Sequence, residues 1–540
     1  MAIGFGRTRT TRGLWLLGLT LSLGAAVACS SDDSGDDPGT EQPGGNGGDG
    51  GEGGSGGDGG DGGDGGSGGD GGTGGDGGTG GDGGSGGGED GVTLTEVHAD
   101  VVPGVDSLLG LVYSKTGKIY ASGYVTVDGD RQTAAVRFNA DGTVDTTFGT
   151  DGIAAYNVAV AADDAHPNPP GNYVAGNEGS YGIVELENGD VVVQTNANDG
   201  EGGQDVVLIK FDSDGNFDAD FGVVRIDLGW ANGDDEWPGE LPPSDQSWGI
   251  ALDSSGDEEK VVVFAHGPAK KGSKHEDAQR TDQDRYVVRV LASDGSLDTS
   301  FADGGIYTFD FDDARLNDGG RRGIVEADGA ILQAGYTDFG TGQKNHIGVL
   351  RLLPDGTPDP NFGFGTTSPG MTKFNPFKDQ DGFAEAYSVA RLSTGAYVTT
   401  GYGVSHFDAP TEENDLVTFR IAGDELDTTW GRDGAFAVQS ELDPQAGKGT
   451  RPFRDNGRDI VRLPDDTTLQ AGCYDDHAAL FLVGKDGGLV DTFGEGGIRV
   501  YDHGLPFFKL AQTSNGDRIA AVTQGGAAGV FLAIYSVETK

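Results

Sequence analysis

The chain has 540 residues, with 101 Gly, 87 acidic residues against 36 basic ones, and a formal net charge of −51 at pH 7. A field of that sign repels nucleic acid and anionic membrane surfaces, favours solubility and attracts divalent cations. Two Cys in so long a chain exclude a disulfide-stapled scaffold; the length fits either several domains or one repeat architecture.

Residues 1–28 read as a secretory signal. Arg7, Arg9 and Arg12 precede an apolar run from Leu14 to Leu23, then small residues through Ala28, then Cys29. The run is shorter than the roughly 20 residues that span a bilayer. Ala26-Val27-Ala28-Cys29 resembles the lipobox of bacterial lipoprotein signals. That resemblance implies that Cys29 is acylated, becomes the mature N-terminus and reaches a membrane through its lipid. Ordinary cleavage at Ala-x-Ala suits the same residues, so both routes stay open, and both export the chain. Ser30 rather than Asp after the cysteine implies, by analogy with enteric bacteria, outer-membrane sorting within the cell envelope, with either leaflet open. Cys473, in Leu469-Gln-Ala-Gly-Cys-Tyr474, then has no partner for a disulfide and reads as a small buried hydrophobe in a strand.

Residues 29–91 form a tether. From Asp49 to Ser85 one polar residue alternates with Gly-Gly, and no Lys or Arg occurs between 30 and 91. Collagen needs one Gly per triplet and abundant Pro, so this is a disordered, solvated coil instead. Its rms reach is about 45 Å.

From Val92 to Lys540 one pattern recurs: Arg137-Phe-Asn-Ala-Asp141-Gly-Thr-Val-Asp145-Thr-Thr-Phe148-Gly149 is its clearest copy. Others carry Asp214-Gly to Phe221, Asp294-Gly to Phe301 and Asp355-Gly to Phe362, with altered copies ending at Trp430 and Phe493. The aromatic positions stand 61 to 80 residues apart. Each unit holds four short apolar runs separated by Gly- or Asp-containing turns, which is the composition of a propeller blade. The Asp-Gly-x-Leu-Asp-x-x-Phe-Gly signature resembles the bacterial delta-60 repeat. Membership implies a β-propeller of undefined function and transfers no site residue. Innermost strands near Leu109, Tyr181, Trp248, Arg322, Tyr387, Arg458 and Phe508 predict an all-β propeller of seven four-stranded blades. The orphan strand Val92–Val101 is expected to complete the last blade and close the ring.

Propeller geometry puts short, uniform turns on one face. The other face receives 158–178, 230–246, 267–284, 364–385, 403–415 and 440–455, the expected binding surface. One of these loops, Trp230 to Trp248, holds Trp230, Trp237 and Trp248 among five acids. Such a set suits a sugar platform or a cation site, or else plugs the gap between blades. The residues opening the inner strands, among them Tyr181, Arg322, Tyr387 and Arg458, would ring the axis, to grip a ligand or to pack blade on blade. Asp212-x-Asp214-Gly-x-x-Asp218 resembles part of a calcium loop, yet no copy has the terminal Glu, so Asp and Gly read as turn formers. No cofactor is expected, calcium being the one metal the pattern approaches. Lys270, Lys271, Lys274 and His275 make a small basic patch. The eight His show no metal-ligand spacing, and no nucleophile elbow or phosphate loop occurs in the body. The reading is a monomeric, non-catalytic surface propeller that binds a glycan or an envelope protein. An envelope-assembly scaffold and a carboxylate-based hydrolase or lyase are the alternatives.

Overall fold

A computed structural model describes residues 91–539 apart from 159–177, 199–202, 231–243, 276–277, 312–315, 340–344, 378–381, 406–413, 441–454, 504 and 526–528. The leader with Cys29, the tether and Trp237 lie outside the described residues.

The inner strands begin at Ser107, Gly179, Gln246, Asn317, Phe383, Asn456 and Phe507, and each opens an antiparallel sheet that runs outward in chain order, save that the seventh ends on the N-terminal strand. The result is a seven-bladed propeller. Blade 2 is typical, with Gly179–Glu185, Val191–Asn198, Gln204–Phe211 and Val224–Ile226. Its third strand is buried at every position, because each blade is covered on both faces by neighbours. This explains why the strands read as continuous apolar runs. The core is correspondingly layered. Separate clusters fill the interfaces, such as Leu111, Phe138, Val522 and Leu532 between blades 1 and 7, and Val206, Leu208, Val261 and Val288 between blades 2 and 3.

The last sheet runs Phe507–Gln512, Arg518–Thr523, Val530–Thr539 and then Val92–Val102, so the N-terminal strand closes the ring as expected. It pairs from Val92↔Thr539 to Val102↔Val530, with a bulge at Val97. Glu96 Oε2 beside that bulge accepts from Tyr501 Oη at 2.6 Å and from Arg499 at 3.3 Å, fastening the closing strand to blade 6.

The recurring motif is an interblade clasp. The Asp carbonyl of one copy accepts from the residue after the aromatic of the preceding copy: Gly149 N to Asp214 O, Ala302 N to Asp355 O and Gly431 N to Asp486 O, each at 2.8 Å. The Gly after each Asp has positive φ, and at Gly215 an added Cβ would stand 2.5 Å from Gly149 N, so glycine is required twice over. The basic residue ending the third strand joins the second Asp, as in Arg137 Nε–Asp145 at 2.7 Å, Lys210–Asp218 at 2.8 Å and Arg289 Nε–Asp298 at 2.8 Å. The same cations lie 4.5 to 4.9 Å from the Phe148, Phe221 and Phe301 ring centroids. The Asp212 and Asp218 carboxylates accept backbone N–H groups of their own turns, as turn formers should.

A second repeated contact marks the opposite face. An acid entering an inner strand accepts the N–H of the residue leaving the previous blade: Glu178 from Val158, Asp245 from Leu228, Asp318 from Phe311 and Asp455 from Ser440, all at 2.7 Å.

Candidate ligand site on the propeller axis

Each of the seven inner strands carries a register shift at the same place: at Leu109, Tyr181, Trp248, Arg321/Arg322, Tyr387, Arg458 and Phe508. A bulge inserts one unpaired residue and re-aims its side chain. Repeated around a ring, it sends these residues to the axis, and Leu109, Trp248, Tyr387 and Phe508 make one buried cluster with Tyr181 against it.

Arg322 crosses the axis. Its guanidinium donates to the carbonyls of Trp248 at 3.3 Å, Arg458 at 3.0 Å and Leu109 at 3.4 Å, and to that of Phe508, which puts blades 3, 6, 1 and 7 on one side chain. Arg321 pairs with Glu385 at 2.5 Å and lies 4.4 Å from the Trp248 ring and 5.0 Å from Tyr387. Arg458 lies 4.6 Å from Tyr387. Burial first, then the guanidinium groups of Arg321 and Arg285, push the His266 imidazole down to about 3. The axis is therefore a positive region inside an acidic protein.

One residue further along the inner strands the ring is lopsided. Blades 1 to 4 have Gly110, Gly182, Gly249 and Gly323, whereas blades 5 to 7 have Ser388, Asp459 and Lys509. Adjacent strands come so close that a Cβ on Gly182 would stand 2.7 Å from Ile250 N. On the other side Asp459 accepts from Ser388 Oγ at 2.7 Å, from Leu510 N at 2.9 Å and from Lys509 Nζ at 2.9 Å, with Arg322 at 3.9 Å. Burial opposes ionisation of Asp459, but Lys509 and Arg322 outweigh it and hold the carboxyl below its ordinary range. Burial, helped by Arg322, lowers the Lys509 ammonium despite Asp459. A cavity of about 370 Å³ opens beside the glycines, walled by Leu111, Val184, Leu252 and Ala511, with Arg322 and Lys509 in its lining and Lys115 at its rim.

The expected Trp platform is partly visible. Trp230 is 2 % exposed and covered by Lys271, whose ammonium lies 5.1 Å from the ring, while Trp248 belongs to the axial cluster. The structure thus brings Trp248, Tyr181, Arg322, Tyr387 and Arg458 together and sets Trp230 apart from them. Asp459, Lys509 and Arg321 were not singled out in the sequence. Their signal was positional, one residue from the ring, and it emerges only when the bulges are aligned. On the long-loop face Arg280 binds Asp284 at 2.8 Å together with Asp282 and Asp310. One blade earlier Asp205, Asp227 and Asp245 bring carboxylate oxygens within 4.8 Å of one another, with Arg225 on Asp205 at 2.9 Å.

Fold and repeat together define a β-propeller. Residues 115–148 and 326–362, each ending at a motif Phe, match the family model described as "Domain of unknown function (DUF5122) beta-propeller", which is related to the delta-60 propellers. No curated protein matches the chain. Among solved structures it is similar to an alpha-L-arabinanase of Penicillium chrysogenum complexed with arabinobiose, with 12% identity, 70% of this chain and 97% of that one covered, and a TM-score of 0.38. It is also similar to the polysaccharide lyase Uly1, with 9% identity, 81% and 91% covered, and a TM-score of 0.41. A third is PorZ, a surface component of the type-IX secretion system of Porphyromonas gingivalis, with 12% identity, 80% and 47% covered, and a TM-score of 0.36.

Proposed function

We propose that this chain is an exported binding propeller, tethered to the cell envelope through Cys29 and the Gly-rich coil, that takes a glycan or an envelope protein on its long-loop face without catalysis. The observation that supports this reading is the asymmetry of the connections. On one face the inner and second strands are joined by near-identical tight turns, such as Ser114–Lys118, Leu186–Asp190 and Leu392–Ala396, each closed by a 2.8 Å backbone bond. The motif connections on that face, such as Phe138 to Ile153 and Val483 to Ile498, are equally uniform, whereas those on the other face range from the hairpin Val127 to Asp130 to the long spans Pro268 to Gln283 and Val438 to Asn456. A rigid scaffold with variability confined to one face is the arrangement of a recognition module.

A carboxylate-based hydrolase draws on Asp284, whose carboxyl burial lifts to about 7, the range of a catalytic acid. That side chain is only 2% exposed and bound to Arg280, which favours the binding reading. The test is a binding screen of the full chain against glycans and envelope fractions, repeated after replacing residues 231–243 with a short Gly-Ser turn, which keeps Trp230, Asp245 and the inner strand from Gln246. Binding that the replacement abolishes, with the melting temperature kept, supports the reading. Binding to neither class of probe, or turnover of a polysaccharide, refutes it.

A further inference from the structure

We propose that the axial cavity on the short-turn face is a second ligand site, for a small organic acid whose carboxylate meets Lys509 and whose apolar body lies against the inner strands. It faces away from the long loops and does not rest on the preceding reading.

Glycine follows the bulge in blades 1 to 4, where the inner strands approach closely, and Ser388, Asp459 and Lys509 stand at that position in the others. The cavity is bordered by Gly182, Gly249 and Gly323 and lies at the lower end of the volume range of small-molecule pockets, at about 370 Å³. Its walls, from Leu111, Val184, Ile250, Leu252 and Ala511, are apolar and suit a hydrocarbon or ring body.

Charge selects the other end of the ligand. The lining carries three cations, Lys115, Arg322 and Lys509, against one carboxylate, Glu185. Both oxygens of Glu185 are engaged by the neighbouring turn, from Ser114 Oγ at 2.6 Å and Lys115 N at 2.9 Å. Asp459 stands behind Lys509 and fixes its ammonium at 2.9 Å, while the side chain keeps 26% of its surface exposed. Asp459 takes one proton of that ammonium, and Lys509 belongs to the cavity lining. A cation positioned by a carboxylate and desolvated on its far side makes strong charge-assisted hydrogen bonds to an anion. In a chain of net charge −51, a pocket lined with a cation excess is the place where an anion would be held. Lys115, exposed in the turn at the rim, would draw it in.

Isothermal titration of the full chain with cyclohexanecarboxylate, its neutral carboxamide and acetate tests this. The carboxylate should bind, at least about tenfold tighter than either comparison compound, the order expected for a charge-assisted hydrogen bond and for buried ring carbons respectively. Lys509→Met keeps the stem and should weaken binding about tenfold or more. Lys115→Glu, on an exposed turn where folding is not at stake, should weaken it about threefold through repulsion at the rim. Equal binding of the carboxamide, equal binding of acetate, no detectable binding of the carboxylate, or binding indifferent to Lys115→Glu would each overturn the proposal. If Lys509→Met lowers the melting temperature by more than a few degrees, the Lys115 variant alone decides.

Discussion

Charged side chains in this propeller are spent on holding backbone, and their titration should show it. Asp455 enters the inner strand of blade 6 and accepts from Ser440 N at 2.7 Å and Asp475 N at 2.9 Å. Burial raises its carboxyl to about 6, above the ordinary carboxylate range, and the backbone donors only partly offset that. A carboxyl with a raised folded pKa favours the native state fully below the unfolded pKa of about 4, and the benefit is lost as pH rises through 6. The motif acids act with the opposite sign. At Asp218 the Lys210 hydrogen bond comes first, and at Asp427 the Thr429 hydrogen bond; both carboxyls are held below the ordinary range. Their stabilisation is present above about pH 4 and falls away in acid. The melting temperature should therefore peak between these windows. Asp455→Asn should flatten the decline between about pH 4 and 6 while leaving the acid limb in place. An unchanged alkaline limb in the variant would remove Asp455 from the account. Arg289 offers a second residue-scale measurement, because it ties Asp298 at 2.8 Å, lies 4.5 Å from Phe301 and donates to Pro354 O at 2.7 Å. Arg289→Met leaves Asp298 buried without its cation and should cost about 3–5 kcal/mol in a denaturant titration. A loss under about 1 kcal/mol would reduce the clasp to a surface pair.

At the scale of elements, strands and blade order were legible because local chemistry dictates them. Apolar runs of strand length and Gly-containing turns are short-range signals, and six copies of one motif fixed the register of the blades. The closing strand was legible by subtraction, since Val530–Thr539 lacked an outer partner and Val92–Val102 lacked an inner one. The bulges were not legible. A bulge leaves the apolar pattern almost unchanged and is visible only in pairing, so the ring at Tyr181, Trp248 and Tyr387 could be aligned but its burial could not be read. The acids at Glu178, Asp245, Asp318 and Asp455 escaped notice for the same reason, since each partner is a backbone N–H in another blade. Closure itself rests on the backbone ladder between Val92–Val102 and Val530–Thr539, which Glu96 reinforces. Glu96 is the side chain by which the closing strand holds Tyr501 and Arg499 of blade 6. Glu96→Gln keeps the shape and loses the charge, so it should lower stability by about 1 kcal/mol. It should also speed hydrogen exchange in Val92–Val102 before other outer strands. Uniform acceleration across all blades would show that closure is not the weak point.

For the whole molecule, a ring differs from an open array of repeats. In an open array each repeat contacts only its neighbours, and damage stays local. Here the interfaces are likewise pairwise, but the axial cluster reaches across them, and within it Arg322 does so by hydrogen bonds. Arg322 belongs to blade 4 and donates to carbonyls in blades 1, 3, 6 and 7, so it ties its blade to three that are not its neighbours in the ring. The cost of that device is a buried guanidinium, which burial disfavours and which Asp459 only partly compensates at 3.9 Å. Arg322→Met removes the charge along with its four-way bonding and strands several carbonyls, a loss of roughly 3–5 kcal/mol. The distribution of the damage is more informative than its size. If Arg322 is a hub, native-state exchange should accelerate together in the inner strands Ser107–Tyr113, Gln246–Asp253, Asn456–Arg462 and Phe507–Gln512. If faster exchange is confined to Asn317–Val325 and its blade, the ring is an array after all, and the cross-axis bonds contribute packing without coupling.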